Sequence, residues 1–276
     1  MYCDLHTHSS FSDGTCTPAQ LIELARNTNR IIALTDHNTV AGLPEFLACA
    51  KQKGVTAVGG VELTTEYEGT ELHLLGLFLP KLRYAAIQAW TKDFREKKEI
   101  SNRQTVARLQ ADGYGIDYEQ LVKNKGNYLN RAHIADALCR GGYVSSISEA
   151  FATLLSEECG YYIPPKRPSF FDALSFLRQV QAIPVLAHPL KDMHEESLCR
   201  LLDRAVPHGL AGMEVYHSSY TQEQSKAAAE IAKAYALLAG GGSDFHGTRK
   251  PNIPFGLPEV PQQVYNALLQ YHKSVF

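Results

Sequence analysis

The chain is predicted to fold as an α/β protein with mostly parallel strands and a helical insertion, on three observations. Short apolar runs alternate with segments of helical periodicity. The strand signal vanishes between about residues 93 and 168 and then returns. Most side chains suited to holding a metal fall just past the carboxyl ends of the apolar runs, where parallel sheets assemble their sites.

The chain opens on a short strand-like stretch that runs into "DLHTHSSFSDGT". Thr17 before Pro18 then caps a helix over "TPAQLIELARN". The run "IIALT" (31–35), the helix "LPEFLACAKQKG" and the run "VTAVGGVEL" (55–63) continue the alternation. Residues 62–80 carry a Glu68-Gly69 turn signal between two strand-like halves, which reads as a hairpin and would make a barrel irregular.

The insertion begins with the charged helix "DFREKKEISNRQTVARLQADG", ending near Gly113. Two short helices follow, "RAHIADALCRGG" and "SISEAFATLLSEECG". The three prolines of "YYIPPKRPS" then return the chain as an extended linker. From Phe170 the β-α pattern resumes with "FDALSFLRQVQ", "IPVLAH" (183–188), "AGMEVY" (211–216), a helix capped at Thr221 ahead of Gln224, and "LLAGGGSD" (237–244). The expected division is 1–93 and 169–276 for the α/β part, with 94–168 inserted.

Composition narrows the function. A formal charge of −2 gives no global basic field, which excludes a protein that grips long duplex nucleic acid through its phosphates and leaves room for a small anionic ligand. No apolar run reaches membrane-span length, and "MYCDLHTHSS" lacks the basic start and apolar core of a signal peptide, so a cytoplasmic protein is expected. Six cysteines without a C-x-x-C pair read as reduced thiols.

His6 and His8 project to one face of an extended segment and can grip one ion; Asp244 and His246 can do the same from another strand. His37 follows "IIALTD", Glu62 ends "AVGGV" and His188 ends "IPVLA". With Asp13 and His73 the set reaches nine possible ligands, more than the roughly six that one octahedral ion accepts, so two or three ions are implied, bridged by a carboxylate such as Glu62. Imidazole with carboxylate suits manganese, iron or zinc. Each histidine alone is better explained by a bond to a backbone carbonyl; the combination at strand ends carries the reading. Glu214 and His217 in "MEVYHSS" also follow a strand and are candidates for bonds behind the ligands, Glu214 equally for a structural cation. Asp36 either orients a ligand or caps its turn. His194 either approaches the leaving group or, the favoured reading, is a surface-loop residue.

"DLHTHSSFSDGT", "ALTDHNT", "GGVELTT", "LHLLGLF", "LAHP" and "GGSDFHG" resemble, in order, the successive motifs of the PHP family, named for polymerase and histidinol phosphatase. The resemblance covers residues 4 to 247. It implies a distorted (β/α)7 TIM-like barrel with a helical insertion domain and three divalent ions, manganese foremost. His6, His8, Glu62 and Asp244 would hold the first ion, Glu62, His73 and His188 the second, and Asp13, His37 and His246 the third. Asp13, His37, Glu62 and His246 would also serve catalysis.

Within the family, the insertion followed by "AFATLLSEECGYYIPP" resembles stand-alone phosphoesterases that remove the 3′-phosphate from nucleoside 3′,5′-bisphosphates, some relatives digesting short RNA from its 5′ end. There the insertion caps the barrel mouth and binds phosphate. The matching positions here are Ser101 and Arg103 in "ISNRQ", and Arg131 and His133 in "NRAHIAD", although Asn130 and Ala132 stand where relatives often have Gly and Pro. Arg103 and Arg131 could fork onto a second phosphate or be solvated surface charges; His133 could instead cap its helix. Tyr114, Tyr118, Tyr128 and Tyr143 could stack a base, or pack helices. The expected chemistry is attack by a metal-bridging hydroxide on phosphorus, because no G-x-S-x-G or Cys-His pair offers a side-chain nucleophile.

Two other readings compete. A histidinol-phosphate phosphatase would need carboxylates for the substrate amine. A non-catalytic metal-binding module would be favoured by missing ligands, and none is missing. Amidohydrolases share the H-x-H opening, but the D-x-H ending with Asp13 and Glu62 fits the phosphoesterase pattern better.

Overall fold

The computed structural model describes residues 1–125 and 129–276, so Tyr128 lies outside the described residues. The chain divides into two compact units, Met1–Gln88 with Pro168–Phe276, and Ala89–Arg167.

In the first unit nine strands form: β1 (Tyr2–Asp4), β2 (Arg30–Leu34), β3 (Ala57–Gly59), β4 (Val61–Tyr67), β5 (Thr70–Leu77), β6 (Ile183–Leu186), β7 (Gly212–His217), β8 (Leu238–Gly242) and β9 (Val260–Pro261). They make two sheets, ordered β3-β2-β1-β9 and β4-β5-β6-β7-β8. The single barrel implied by the resemblance is therefore corrected to two open sheets. Two features keep the ladders apart. The run "VTAVGGVEL" splits at Gly60, sending β3 to one sheet and β4 to the other. β9 occupies the edge of β1 at Tyr2 and Cys3, so β8 meets the chain only beyond Asp4. Isolated bridges, Thr7 with Phe245 and His37 with Glu62, stitch the edges together, and both are at metal-type residues or beside them.

The parallel expectation holds for β1-β2-β3 and β6-β7-β8, while β5 runs antiparallel to both neighbours. The hairpin β4–β5 forms as its turn signal requires: Glu68 at φ 50° and Gly69 at φ 81° give the two left-handed residues that match strand twist. Between the strands lie α1 (Pro18–Asn27) and α2 (Leu43–Lys53), the former closed by a reciprocal capping box between Thr17 and Gln20. Cys3, Leu5, Ile31, Ala33, Leu75, Ile183 and Val185 pack into a buried core under both sheets.

α3 (Tyr84–Ala111) leads into the second unit, which is helical among the described residues, with α4 (Tyr118–Lys125), α5 (Arg131–Arg140) and α6 (Ile147–Ala150), the last continuing into a π-helical turn at Phe151–Leu155. Val106, Leu109, Ile134, Leu138 and Leu155 form its own buried core. Back in the first unit, α7 (Phe170–Gln179), α8 (Pro189–Asp192), α9 (Glu195–Ala205), α10 (Gln222–Ala234) and α11 (Gln262–Val275) complete the chain. α10 carries the capping box foreseen between Thr221 and Gln224. No helix among the described residues is long and apolar enough to cross a membrane.

Candidate metal centre

The first unit converges its ligands by a common device: strands deliver the chain to one edge, and the residues just beyond turn inward. After β1 the backbone stays extended, so His6 and His8 face the same way and are fully buried. The loop behind them folds back so tightly that a Cβ on Gly14 would sit 2.2 Å from the His8 carbonyl oxygen, which is why glycine follows Asp13. Asp36 holds that loop by accepting from the Ser9 N–H and from the Ser9 and Ser12 hydroxyls, so it caps the turn. β8 carries three glycines because its neighbours press close: a Cβ on Gly240 would lie 2.9 Å from a Val185 methyl, one on Gly241 2.5 Å from the Tyr216 carbonyl oxygen, and one on Gly242 2.4 Å from the His6 nitrogen. His188 and Asp244 adopt φ 30° and 55°, left-handed conformations that non-glycine residues rarely hold, and each lies two residues past a strand end.

Glu62 stands at the middle. Its Oε2 lies 3.2 Å from His6 Nε2, 3.1 Å from His8 Nε2 and 3.1 Å from His37 Nδ1. Its Oε1 lies 2.9 Å from His73 Nδ1 and 3.3 Å from His188 Nε2. Asp244 Oδ1 adds to the first group at 3.3 Å from His8 Nε2, and Asp13 Oδ1 lies 3.2 Å from His246 Nε2. Among the described residues, four constellations close enough to hold an ion result: His6, His8 and Asp244; His37, Glu62 and His73; His8, Asp13, His37 and His246; and His6, Glu214 and His217. All nine sequence-selected positions are brought together. His6, His8 and His37 each reach two constellations, a sharing that the sequence did not show.

The donor set fits divalent cations on an observation independent of proximity. His6 Nε2, both His8 nitrogens, Asp13 Oδ1, His37 Nδ1, Glu62 Oε2 and His73 Nδ1 are buried without a hydrogen-bond partner. Each such orphan costs about 1–3 kcal/mol, and several in one place suit a bound cation. The electrostatics agree. Burial pushes the Glu62 carboxyl up, but His37, His6 and His73 around it hold it well below the usual range. Burial disfavours charge on His8 and His73, yet Asp244 and Glu62 beside His8 raise it to about 9, and Glu62 beside His73 raises it to about 10. Without ions, protons take the place that cations would fill.

A further layer aims the rings. Glu214 Oε1 is 3.0 Å from His6 Nδ1, and its Oε2 accepts from the His188 N–H at 2.7 Å. Asp192 Oδ2 is 2.7 Å from His188 Nδ1, and the Asp244 carbonyl is 2.7 Å from His246 Nδ1. Each leaves the opposite ring nitrogen turned toward the centre. His217, buried beside Ser219, points Nε2 at Asp244 Oδ2 from 3.7 Å. Sequence reasoning singled out Glu214 and His217 but missed Asp192 and Lys250. Asp192 stands four residues after His188, one helical turn on; Lys250, whose Nζ is 2.7 Å from Asp244 Oδ2, lies in irregular chain that carries no periodic signal.

The four candidate phosphate ligands lie in the second unit. The Ser101 hydroxyl donates to the Ile163 carbonyl. Arg103 is exposed, stacks on Tyr118 and pairs with Glu119 at 2.6 Å and Glu99 at 3.4 Å. Arg131 lies over the Tyr162 ring at 4.1 Å. His133 closes the capping box of α5, its Nδ1 accepting from the Asn130 N–H at 3.1 Å. Tyr114 packs edge-on against Tyr143, whose hydroxyl accepts from the Gly115 N–H. His194 is exposed ahead of α9, as a surface residue.

Residues 4–161 match the PHP domain profile, more than half of the chain. The chain belongs to the PHP family. A PHP relative from Haemophilus influenzae named 5′-3′ exoribonuclease is 30% identical over 88% of this chain and 89% of its own. The 3′,5′-nucleoside bisphosphate phosphatase of Chromobacterium violaceum is 29% identical over 96% and 95%, and the phosphoribosyl 1,2-cyclic phosphate 1,2-diphosphodiesterase of Eggerthella lenta 32% identical over 92% and 98%. A crystal structure from Bifidobacterium adolescentis assigned as a metal-dependent phosphoesterase superposes with a TM-score of 0.87 at 29% identity, covering 97% of this chain and 95% of that one.

Proposed function

We propose that this PHP protein is a metal-dependent phosphoesterase that removes the 3′-phosphate from nucleoside 3′,5′-bisphosphates, giving nucleoside 5′-monophosphate and phosphate, with short 5′-phosphorylated RNA as a second substrate. The observation that carries the reading is Glu62, fully buried, with one oxygen turned to His6, His8 and His37 and the other to His73 and His188. A carboxylate so placed suits a site for two or three ions, with manganese preferred and iron or zinc compatible. The phosphatase and exoribonuclease names of two full-length relatives supply the substrate class.

Divalent ions held there would lower the pKa of water toward neutrality and offset charge on the phosphoryl oxygens. The chain's own part is placement. Glu62 would lie between the first and second ion positions, and Asp13, His37 and His246 would hold the third, beside the space for the water whose oxygen joins phosphorus as the bond to the ribose 3′-oxygen breaks. The low pKa of Glu62 and Asp13 keeps both as carboxylates throughout. Arg131 and Arg103, with Ser101 and His133 near them in sequence, are assigned to the second phosphate.

The test is phosphate release with manganese from adenosine 3′,5′-bisphosphate, 5′-AMP, histidinol phosphate, a ribose cyclic phosphodiester and a short 5′-phosphorylated RNA, side by side. Preference for the bisphosphate is expected, and Arg131→Ala should raise its KM more than that of 5′-AMP. Preference for histidinol phosphate or for the cyclic diester would overturn the substrate assignment.

A further inference from the structure

Lys250 follows the short turn Gly247–Arg249, which is tied to the Asp13 loop by a bond from the Thr248 N–H to the Thr15 hydroxyl at 2.9 Å. The Ile253 N–H in turn bonds the Lys250 carbonyl at 3.0 Å. The backbone is thus fixed at both ends, and the side chain reaches Asp244, its Nζ 2.7 Å from Oδ2. Oδ2 is the outer oxygen of that carboxylate; Oδ1 faces His8 and His6. Lys250 therefore contributes a fixed positive charge at the edge of the constellation without entering it.

Its exposure sets it apart. The side chain of Lys250 is 35% exposed, against 6% for Asp244 and none for His6 and His8. An ammonium has three donors, and one meets Asp244. Asp244 stands between the ammonium and the cluster, and an anionic substrate at that edge would meet the positive charge of Lys250 through the two donors left over.

We propose that Lys250 is a phosphate-recognition residue of this centre, anchored on Asp244 Oδ2 and presenting its remaining donors to a phosphoryl oxygen of the bound substrate. The simpler role it must be distinguished from is a clamp that only holds Asp244 in position. The inference rests on the reading of the centre as a divalent-ion site, and not on which phosphoester is hydrolysed.

Inorganic phosphate serves as the probe. Its affinity for the manganese-loaded protein is measured by calorimetry for the unaltered chain, Lys250→Met, Lys250→Gln and Lys250→Arg, alongside manganese affinity of each. Both uncharged variants should bind phosphate about tenfold more weakly while manganese affinity does not fall, and the arginine variant should stay within about threefold of the unaltered protein. Unchanged phosphate affinity in either folded uncharged variant, or a fall in manganese affinity that accounts for the phosphate loss, would overturn the proposal in favour of the clamp. Failure of the unaltered protein to bind manganese would refute the metal-site reading and this inference together.

Discussion

Replacing Glu214 by glutamine keeps the side-chain shape and removes one acceptor at a place where two are needed. In the native arrangement Oε1 meets His6 Nδ1 at 3.0 Å and Oε2 accepts from the His188 N–H at 2.7 Å, both fully buried. The carboxylate fixes the His6 proton on Nδ1 and leaves Nε2 bare toward the centre. A glutamine whose oxygen serves His188 must donate its amide to His6 Nδ1, which moves the ring proton to Nε2 and closes the ligand atom. A glutamine turned the other way opposes its amide to the His188 N–H. Either arrangement buries one mismatched donor at about 1–3 kcal/mol, or about 5- to 150-fold in affinity for the ion at His6. Manganese titration calorimetry of Glu214→Gln, with circular dichroism to verify folding, measures this directly. Affinity within twofold of the unaltered protein would refute the claim that Glu214 sets the His6 tautomer.

Two further outcomes follow from the same geometry. His8 and His73 are raised to about 9 and about 10, above their unfolded value, so in the ion-free protein their contribution to stability is fully present below pH 6.5 and is lost as pH rises through those values. Because an ion must displace these protons, manganese affinity should climb about tenfold per pH unit for each proton released between pH 6 and 8, and calorimetry showing no pH dependence would contradict the assignment. Gly242→Ala places a Cβ 2.4 Å from the His6 nitrogen and 2.6 Å from its Cβ, so β1 and β8 must separate. A loss of about 1–3 kcal/mol, a fall in Tm of roughly 3–10 °C and weaker manganese binding are expected together from thermal scans with and without metal.

The clustering of the nine candidate side chains was legible because these residues are both unusual and regularly placed. H-x-H and D-x-H in extended chain can face only one way, and the histidines and carboxylates recur at the ends of apolar runs whose strand character was clear. Pairing between strands was not legible. Periodicity says that "VTAVGGVEL" is extended; it does not say that Gly60 divides it between two sheets, nor that a two-residue strand containing Pro261 covers the edge of β1. That is why a single barrel was expected where two open sheets stand.

The same limit applies to side chains outside regular elements. Arg103 has Glu99 one turn before it, a pair that the sequence offers, but Glu119 reaches it from another helix and only the fold brings them together. Lys250 looks like any surface lysine until Asp244 is found 2.7 Å away. His133 was read both as a phosphate ligand and as a cap, and its Nδ1 lies in the capping box.

The most direct test of metal-dependent phosphoester hydrolysis is turnover of adenosine 3′,5′-bisphosphate by protein stripped with a chelator, dialysed, and then titrated with manganese while bound metal is counted. Activity should vanish on stripping and return as the ions bind, with Glu62→Gln failing to recover it. Phosphate release that persists in the ion-free protein, or a folded, manganese-loaded protein that releases none from any phosphoester, would contradict the central claim.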